Sequence, residues 1–270
     1  VLSRGERLLP AGLGLAASLG LAHLSVVARP RVALFSTGDE LVMPGEVPPE
    51  AMKPGAIYNS NRFFLRALLR RLGCEVSDLG IVPDRREATL AALKTAADHH
   101  DLILTSGGVS VGEEDHIKPA VQQLGSLNLW QIAMKPGKPF AYGTVKRDVG
   151  AGPAAGEACH FIGLPGNPVS SFVTFLLLVR PFLLRLQGVE STALKTTTLP
   201  AHFTLNKADK RREFLRVRRN AAGGLDLFPN QSSGVLTSAV WGDGLVDNPA
   251  GSTIAHGDPV SFISLSDLLA

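Results

Sequence analysis

From residue 31 to residue 186 the chain alternates short apolar runs with longer amphipathic ones, and this alternation limits its fold more than any other feature. Residues 32–35, 75–82, 101–104, 127–133, 140–145 and 160–164 read as strands. Between them lie helical patterns. One follows Asn59 or Ser60, either of which can cap it, and presents Phe63, Leu65, Leu68, Leu69 and Leu72 on one face. A second runs to Ala97 behind Asp84-Arg85-Arg86-Glu87, which resembles a capping box. A third covers 113–124. A fourth, 168–186, is apolar on most of its surface and reads as buried. Strand–helix alternation of this kind predicts an α/β fold, a parallel three-layer α/β/α domain with helices on both faces of the sheet. Ligands of such sheets bind beyond the carboxyl ends of the strands.

After Gln187-Gly188 the pattern changes. Residues 196–205, 213–219, 225–228, 235–240 and 260–265 are short alternating runs between turn signals, with no helical period before the tail. They predict a small β-barrel or sandwich. The expected organisation is therefore 1–29 as the remnant of a preceding domain or linker, 30–188 as the α/β domain and 189–270 as the β domain. Residues 8–28 are mostly apolar, but Pro10, Gly12, Gly14 and Gly20 interrupt them. They read as a short helix, 13–21, and a strand, 23–27, rather than as a membrane or signal helix. The chain opens on Val1 rather than Met, which reads as a fragment. Residues 44–54 read as a Pro- and Gly-bearing flap, and 146–157 as a hairpin or surface excursion.

Three loops carry chemistry. Thr105-Ser106-Gly107-Gly108-Val109-Ser110-Val111-Gly112 follows the apolar run 102–104, and Glu113, Glu114 and Asp115 come next. Backbone N–H groups of such a turn can cradle phosphate. Lys135-Pro136-Gly137-Lys138-Pro139 holds two lysines on a turn stiffened by its prolines, an arrangement suited to an oxyanion. Gly163-Leu164-Pro165-Gly166-Asn167-Pro168 opens the long apolar helix, whose first-turn amides form another anion site. Singly, each is as well explained by an ordinary turn. Three in one α/β segment point to a shared pocket.

Ser36-Thr37-Gly38-Asp39-Glu40-Leu41, the Thr105 to Gly112 loop with Asp115, Met134 to Pro139, and Gly163 to Pro168 occur in this order. As a set they resemble the molybdopterin molybdenumtransferases, which include the C-terminal domain of gephyrin. The resemblance spans essentially the whole chain. It implies a molybdopterin-binding type of α/β domain with a C-terminal β domain, and further N-terminal domains. The implied reaction is insertion of molybdate into adenylylated molybdopterin with Mg²⁺, releasing AMP. It also implies a cytoplasmic homodimer and contact with the adenylyltransferase of the same pathway. Asp115, Glu40 and Asp84 become the catalytic candidates, with Asp115 and Glu40 as metal ligands. Substrate contacts are expected from Thr37, Gly38, Asp39, Ser106, Gly107, Gly108, Ser110 and Gly112. Lys135 and Lys138 are expected on molybdate or phosphate, with Pro165, Gly166, Asn167, Pro168 and Ser170 completing the pocket. Asp84 is equally a good helix cap, and Asp39 can simply hold its own loop. Gln131 and His116 depart from the family pattern of Lys or Arg and of Tyr or Phe, respectively. A molybdopterin adenylyltransferase-like enzyme and a gephyrin-like scaffold are the alternatives. The additional C-terminal β domain and the lysine turn favour the insertion step over the first.

Composition narrows the classes further. At 45% hydrophobic and 19% charged the chain reads as globular, and a net charge of +3 is too small and dispersed for nucleic-acid binding. Arg211-Arg212 reads as a solvated pair or an anion clamp reaching the pocket. Cys74 and Cys159 have no metal-ligand spacing and suggest a reducing compartment. No Ser-His-Asp or Cys-His set is legible; His99, His100 and His116 read as structural.

Overall fold

The computed structural model describes residues 2–109, 116–148 and 158–269. In chain order its elements are α1 (Pro10–Ser18), β1 (Arg31–Thr37), β2 (Leu41–Val42), β3 (Ile57–Tyr58), α2 (Asn61–Arg71), β4 (Glu75–Val82), α3 (Arg86–His99), β5 (Leu102–Ser106), α4 (Ile117–Leu124), β6 (Gly125–Trp130), β7 (Met134–Lys135), β8 (Ala141–Lys146) and β9 (Ala158–Leu164). They continue with α5 (Pro168–Thr174), a π-helical stretch at Phe175–Val179, α6 (Arg180–Leu186), β10 (Thr197–Pro200), β11 (Arg212–Arg219), β12 (Leu225–Leu227), α7 (Thr237–Trp241), β13 (Gly244–Asn248), β14 (Pro259–Ser264) and α8 (Leu265–Leu269).

The first sheet has the order β4-β1-β5-β9-β8-β6. Its first four strands are parallel, as the alternation predicts; β8 runs antiparallel to both β9 and β6, a reversal that a wholly parallel sheet does not contain. The reason is local. No helix separates β6 from β8 among the described residues, so the chain turns through the lysine segment and pairs back beside itself. Ser36, Ser106 and Leu164 lie at one register level on β1, β5 and β9. Trp130 pairs with Ala141, and Ala141 with Gly163, so the lysine turn emerges at that same edge.

Helices cover both faces. Leu93, Ala96 and Ala97 of α3 and Ile117, Ala120 and Val121 of α4 pack with Phe35, Ile103 and Phe161 on one side. Leu65 and Leu69 of α2, with Val173, Phe175, Leu176 and Leu183 of the composite helix 168–186, pack on the other. That composite helix is 19 residues long with a mean hydropathy of 1.7 over its most apolar window, but 56% of that window is buried inside the protein. Its apolarity is therefore that of a core element. Pro181 lacks the N–H that would reach back four residues, and the π-helical widening immediately precedes it.

The second sheet has the order β10-β14-β13-β11-β12, with β7 added beside β11. A parallel bridge between Ala201, just after β10, and Leu225, at the start of β12, draws its two ends together in barrel fashion. Leu215, Val217, Val246 and Phe262 fill its own core. Phe214, Leu245 and Ile263 instead join the core of α2 and the composite helix, so that helix lies between the two sheets.

Several expectations need correction. Residues 23–27 form no strand, and Val26 and Val27 are exposed with no sheet edge beside them. The first helix is Pro10–Ser18, three residues earlier than predicted, because Pro10 suits a first helical turn. Phe63 is exposed although it sits in the apolar pattern of α2. α3 starts at Arg86 behind an extended Arg85 that makes no side-chain cap, one residue later than a cap at Asp84 implies. Residues 237–240, within the run 235–240 read as β, belong instead to the helix α7. Most of the 146–157 excursion lies outside the described residues.

Candidate functional site

The strand-end loops enclose one cleft of about 700 Å³. Thr37, Gly38 and Glu40 reach it from the end of β1, and Asp84 from the end of β4. Ser106, Gly107, Gly108 and Val109 come from the end of β5, and Pro165 to Pro168 with Ser170 from the end of β9 and the start of α5. The cleft thus gathers most of the residues singled out in the sequence. Asp39 is exposed and outside its wall. Asp115, Ser110 and Gly112 lie outside the described residues.

Backbone approach explains the glycines. Gly107 has φ +89°, and a Cβ there would stand 2.4 Å from the Thr37 carbonyl oxygen. Its N–H donates to the Leu164 carbonyl at 3.1 Å, so the β5 turn is tied to the end of β9 as well as pressed against β1.

Asn61 adds a further tie, which sequence reading missed. Its Nδ2 donates to Ser106 Oγ at 3.1 Å and to the Gly166 carbonyl at 2.7 Å. Asn59 does cap α2, accepting the Arg62 N–H at 3.2 Å, and both asparagines also line the cleft. The signal was the polar run Asn59-Ser60-Asn61, whose first two residues helix capping already explains.

The β unit contributes one edge. Gly234 lines the cleft, and the Ser233 carbonyl accepts the Val169 N–H at 2.9 Å. The first turn of α5 therefore offers fewer free amides than the loop pattern suggested: Pro168 has none and Val169 is engaged. Arg216, fully buried, holds this segment by donating to Ser238 Oγ at 3.2 Å and to the Ser232 carbonyl at 3.4 Å. Burial pushes its guanidinium down to about 10.

The lysine turn is placed differently from the expectation. Pro139 forms part of the cleft wall, but Lys135 and Lys138 do not. Gly137 (φ +113°) seats the turn on α5, where a Cβ would stand 2.4 Å from Thr174 Cγ2. Lys135 Nζ lies 2.8 Å from Glu213 Oε1 and 3.2 Å from Asp209 Oδ2. The β7–β11 pairing, with Lys135 opposite Glu213, brings these groups together. The hydrogen bond to Glu213 raises the Lys135 pKa, against desolvation that lowers it. Arg211 grips Asp209 with two side-chain bonds, Nε–Oδ1 at 3.0 Å and Nη2–Oδ2 at 2.9 Å, and holds that carboxyl far below the usual carboxylate range. Arg212, the other half of the suggested clamp, pairs instead with Asp247. Lys138 is exposed and has no ion pair among the described residues.

Oxygen donors dominate the cleft. Thr37 Oγ1 is buried with no hydrogen-bond partner among the described residues, and Glu40 and Asp84 line the same space. This set fits Mg²⁺, which takes one or two carboxylates and leaves other positions to water and substrate phosphates. Among the described residues no group of three or more His, Cys, Asp or Glu side chains could hold a metal alone.

Comparison with known proteins follows the same division. Residues 33–185 match the model of the probable molybdopterin binding domain, and residues 198–265 that of the MoeA C-terminal region (domain IV). The chain belongs to the molybdopterin molybdenumtransferase family. Among members of this family, the molybdopterin molybdenumtransferase of Haemophilus influenzae is 43% identical over 222 residues, covering 80% of this chain and 50% of the relative. That of Synechococcus elongatus is 34% identical, covering 98% of this chain and 63% of the relative. A molybdopterin biosynthesis MoeA protein from Pyrococcus horikoshii superposes with a TM-score of 0.79 at 30% identity, over 97% of this chain and 61% of that one. The chain thus spans about half to two-thirds of the length of these relatives.

Proposed function

We propose that the cleft takes adenylylated molybdopterin, and that molybdate is inserted there with release of AMP. The observation that carries this reading is the convergence of four strand-end loops and the Gly234 segment of the β unit on one space. The family's relatives are named for this transferase activity. The β unit's share in the wall favours insertion over adenylyl transfer, for which the α/β unit alone would serve.

The residues divide the work by their chemistry. The Gly107 turn, fixed by Asn61 and by the Leu164 carbonyl, presents backbone to the substrate phosphates. Ser170 offers a hydroxyl from the first turn of α5. Glu40 and Asp84 would hold Mg²⁺ with Thr37, and Asp115 joins the catalytic set on the resemblance. When bound, Mg²⁺ would neutralise charge on the phosphates at the bond that breaks. Lys135 and Lys138, in the turn that ends at Pro139 of the wall, and Arg211, joined to Lys135 through Asp209, are the cations for molybdate. A cytoplasmic homodimer, receiving its substrate from the adenylyltransferase of the pathway, completes the proposal; the exposed Leu9, Leu13, Leu19 and Leu21 supply apolar surface for packing against another chain.

The test is AMP release from adenylylated molybdopterin with Mg²⁺, with and without molybdate. Molybdate-dependent AMP supports insertion. Binding of the adenylylated substrate without any AMP would favour a scaffold role.

A further inference from the structure

Lys135 and Arg211 share one carboxylate oxygen. Asp209 Oδ2 lies 3.2 Å from Lys135 Nζ and 2.9 Å from Arg211 Nη2. One anionic oxygen bridging an ammonium and a guanidinium is the arrangement that an oxygen of a tetrahedral oxyanion takes between the same groups. We propose that Asp209 is a tethered competitor for the oxyanion: its carboxylate fills the place between Lys135 and Arg211 and thereby sets which anions enter. This rests on the reading that these cations receive molybdate.

The two carboxylates around Lys135 are not equivalent. Glu213 is buried on β11, directly opposite Lys135 on β7, and is fixed by the strand pairing. Asp209 sits in the irregular segment before β11. Its carbonyl accepts the Gly251 N–H at 2.8 Å, so its backbone is anchored, and release is a rotation of the side chain that gives up the Arg211 N–H, which donates to Oδ1 at 3.0 Å, together with the Lys135 and Arg211 side-chain contacts.

Charge gives the selectivity. Lys135 and Arg211 are balanced by Asp209 and Glu213, so the four groups sum to zero. With Asp209 turned away, one positive charge is uncompensated, and exposed Lys138 lies in the same turn. A dianion is attracted to Lys135 and Arg211 about twice as strongly as a monoanion and so better repays the loss of the Asp209 contacts. Lys207 and Lys210, exposed on the Asp209 segment, add attraction for anions at longer range.

The experiment is calorimetric titration of the full chain, without nucleotide, using molybdate, sulfate and nitrate as probes. Asp209→Asn keeps the shape and removes the charge. It is expected to bind molybdate and sulfate about tenfold more tightly than the parent and to bind nitrate measurably. Adding Arg211→Gln to Asp209→Asn is expected to abolish the gain. Unchanged or weaker dianion binding by folded Asp209→Asn overturns the proposal, as does a gain that survives Arg211→Gln. Failure here alongside molybdate-dependent AMP release would sink only the competitor role. A gain in oxyanion binding without AMP release from the parent would leave the competitor standing and remove the insertion reading.

Discussion

Lys135 Nζ stands 2.8 Å from Glu213 Oε1, and this contact joins the turn of the α/β unit to the first strand beside it in the β unit. Glu213 is buried, and its second oxygen has no partner among the described residues. A buried carboxylate that loses its cation is costly, whereas a neutral replacement is tolerated. Lys135 itself is partly exposed, which reduces the effect. Lys135→Ala is expected to lower stability by about 2 kcal/mol, and Glu213→Gln in the same chain to recover most of it. Denaturant unfolding of the three proteins checks this; equal midpoints for parent and Lys135→Ala would contradict it.

Asn61→Ala removes both bonds from its Nδ2, to Ser106 Oγ and to the Gly166 carbonyl. Two lost hydrogen bonds correspond to about 2 kcal/mol of stability. The larger consequence is expected in the cleft, where the two loops are no longer fixed to each other. AMP release should fall at least about tenfold while the protein remains folded at 25 °C. A stability loss with unchanged turnover would show that Asn61 supports the fold alone.

Gly107→Ala places a Cβ 2.4 Å from the Thr37 carbonyl at a positive φ. The cost expected is about 2 kcal/mol or more, with loss of nucleotide binding, because the turn must move into the cleft. Gly223→Ala is the control: it also has positive φ, but nothing stands within 4 Å of its Cβ, and it is not part of the cleft wall. Comparable binding losses in both variants would defeat the argument from close approach.

Acid sensitivity should originate away from the cleft. Burial pushes the pKa values of His100 and His160 down. His160 accepts or donates at Tyr142 Oη, 3.2 Å away, and Arg147 also disfavours its charging. A depressed folded-state pKa contributes stability above the unfolded value, about 6.5, which is lost as pH falls through the folded value. Thermal midpoints should therefore fall on acidification below about pH 6.5, and His100→Gln with His160→Gln should flatten that slope. An unchanged slope in the double variant would assign the effect to other groups.

The first sheet was legible by two signals: 102–104 is a continuous apolar run that lies wholly buried in β5, whereas β4, at the sheet edge, alternates in burial and still matched 75–82 at both ends. The strand-end loops were legible for a related reason, since glycines and prolines appear where backbones meet. Lys135 was different. Its chemistry was visible, but its partners, Asp209 and Glu213, lie more than 70 positions away and are brought to it by a two-residue strand that no periodicity can reveal. Asn61 was hidden by a simpler explanation, helix capping, that applied to its neighbour. Residues 237–240 misled because Val235, Leu236 and Val240 satisfy a strand pattern, whereas α7 is a single turn over which Val240 stays exposed.

The most direct test of the cleft is a crystal structure of the chain grown with AMP and Mg²⁺. The account predicts phosphate against the Gly107 turn, within reach of Ser170, and the metal on Glu40 or Asp84. AMP bound outside the space bounded by Asn61, Gly107 and Gly166, in a protein that releases AMP, would contradict it.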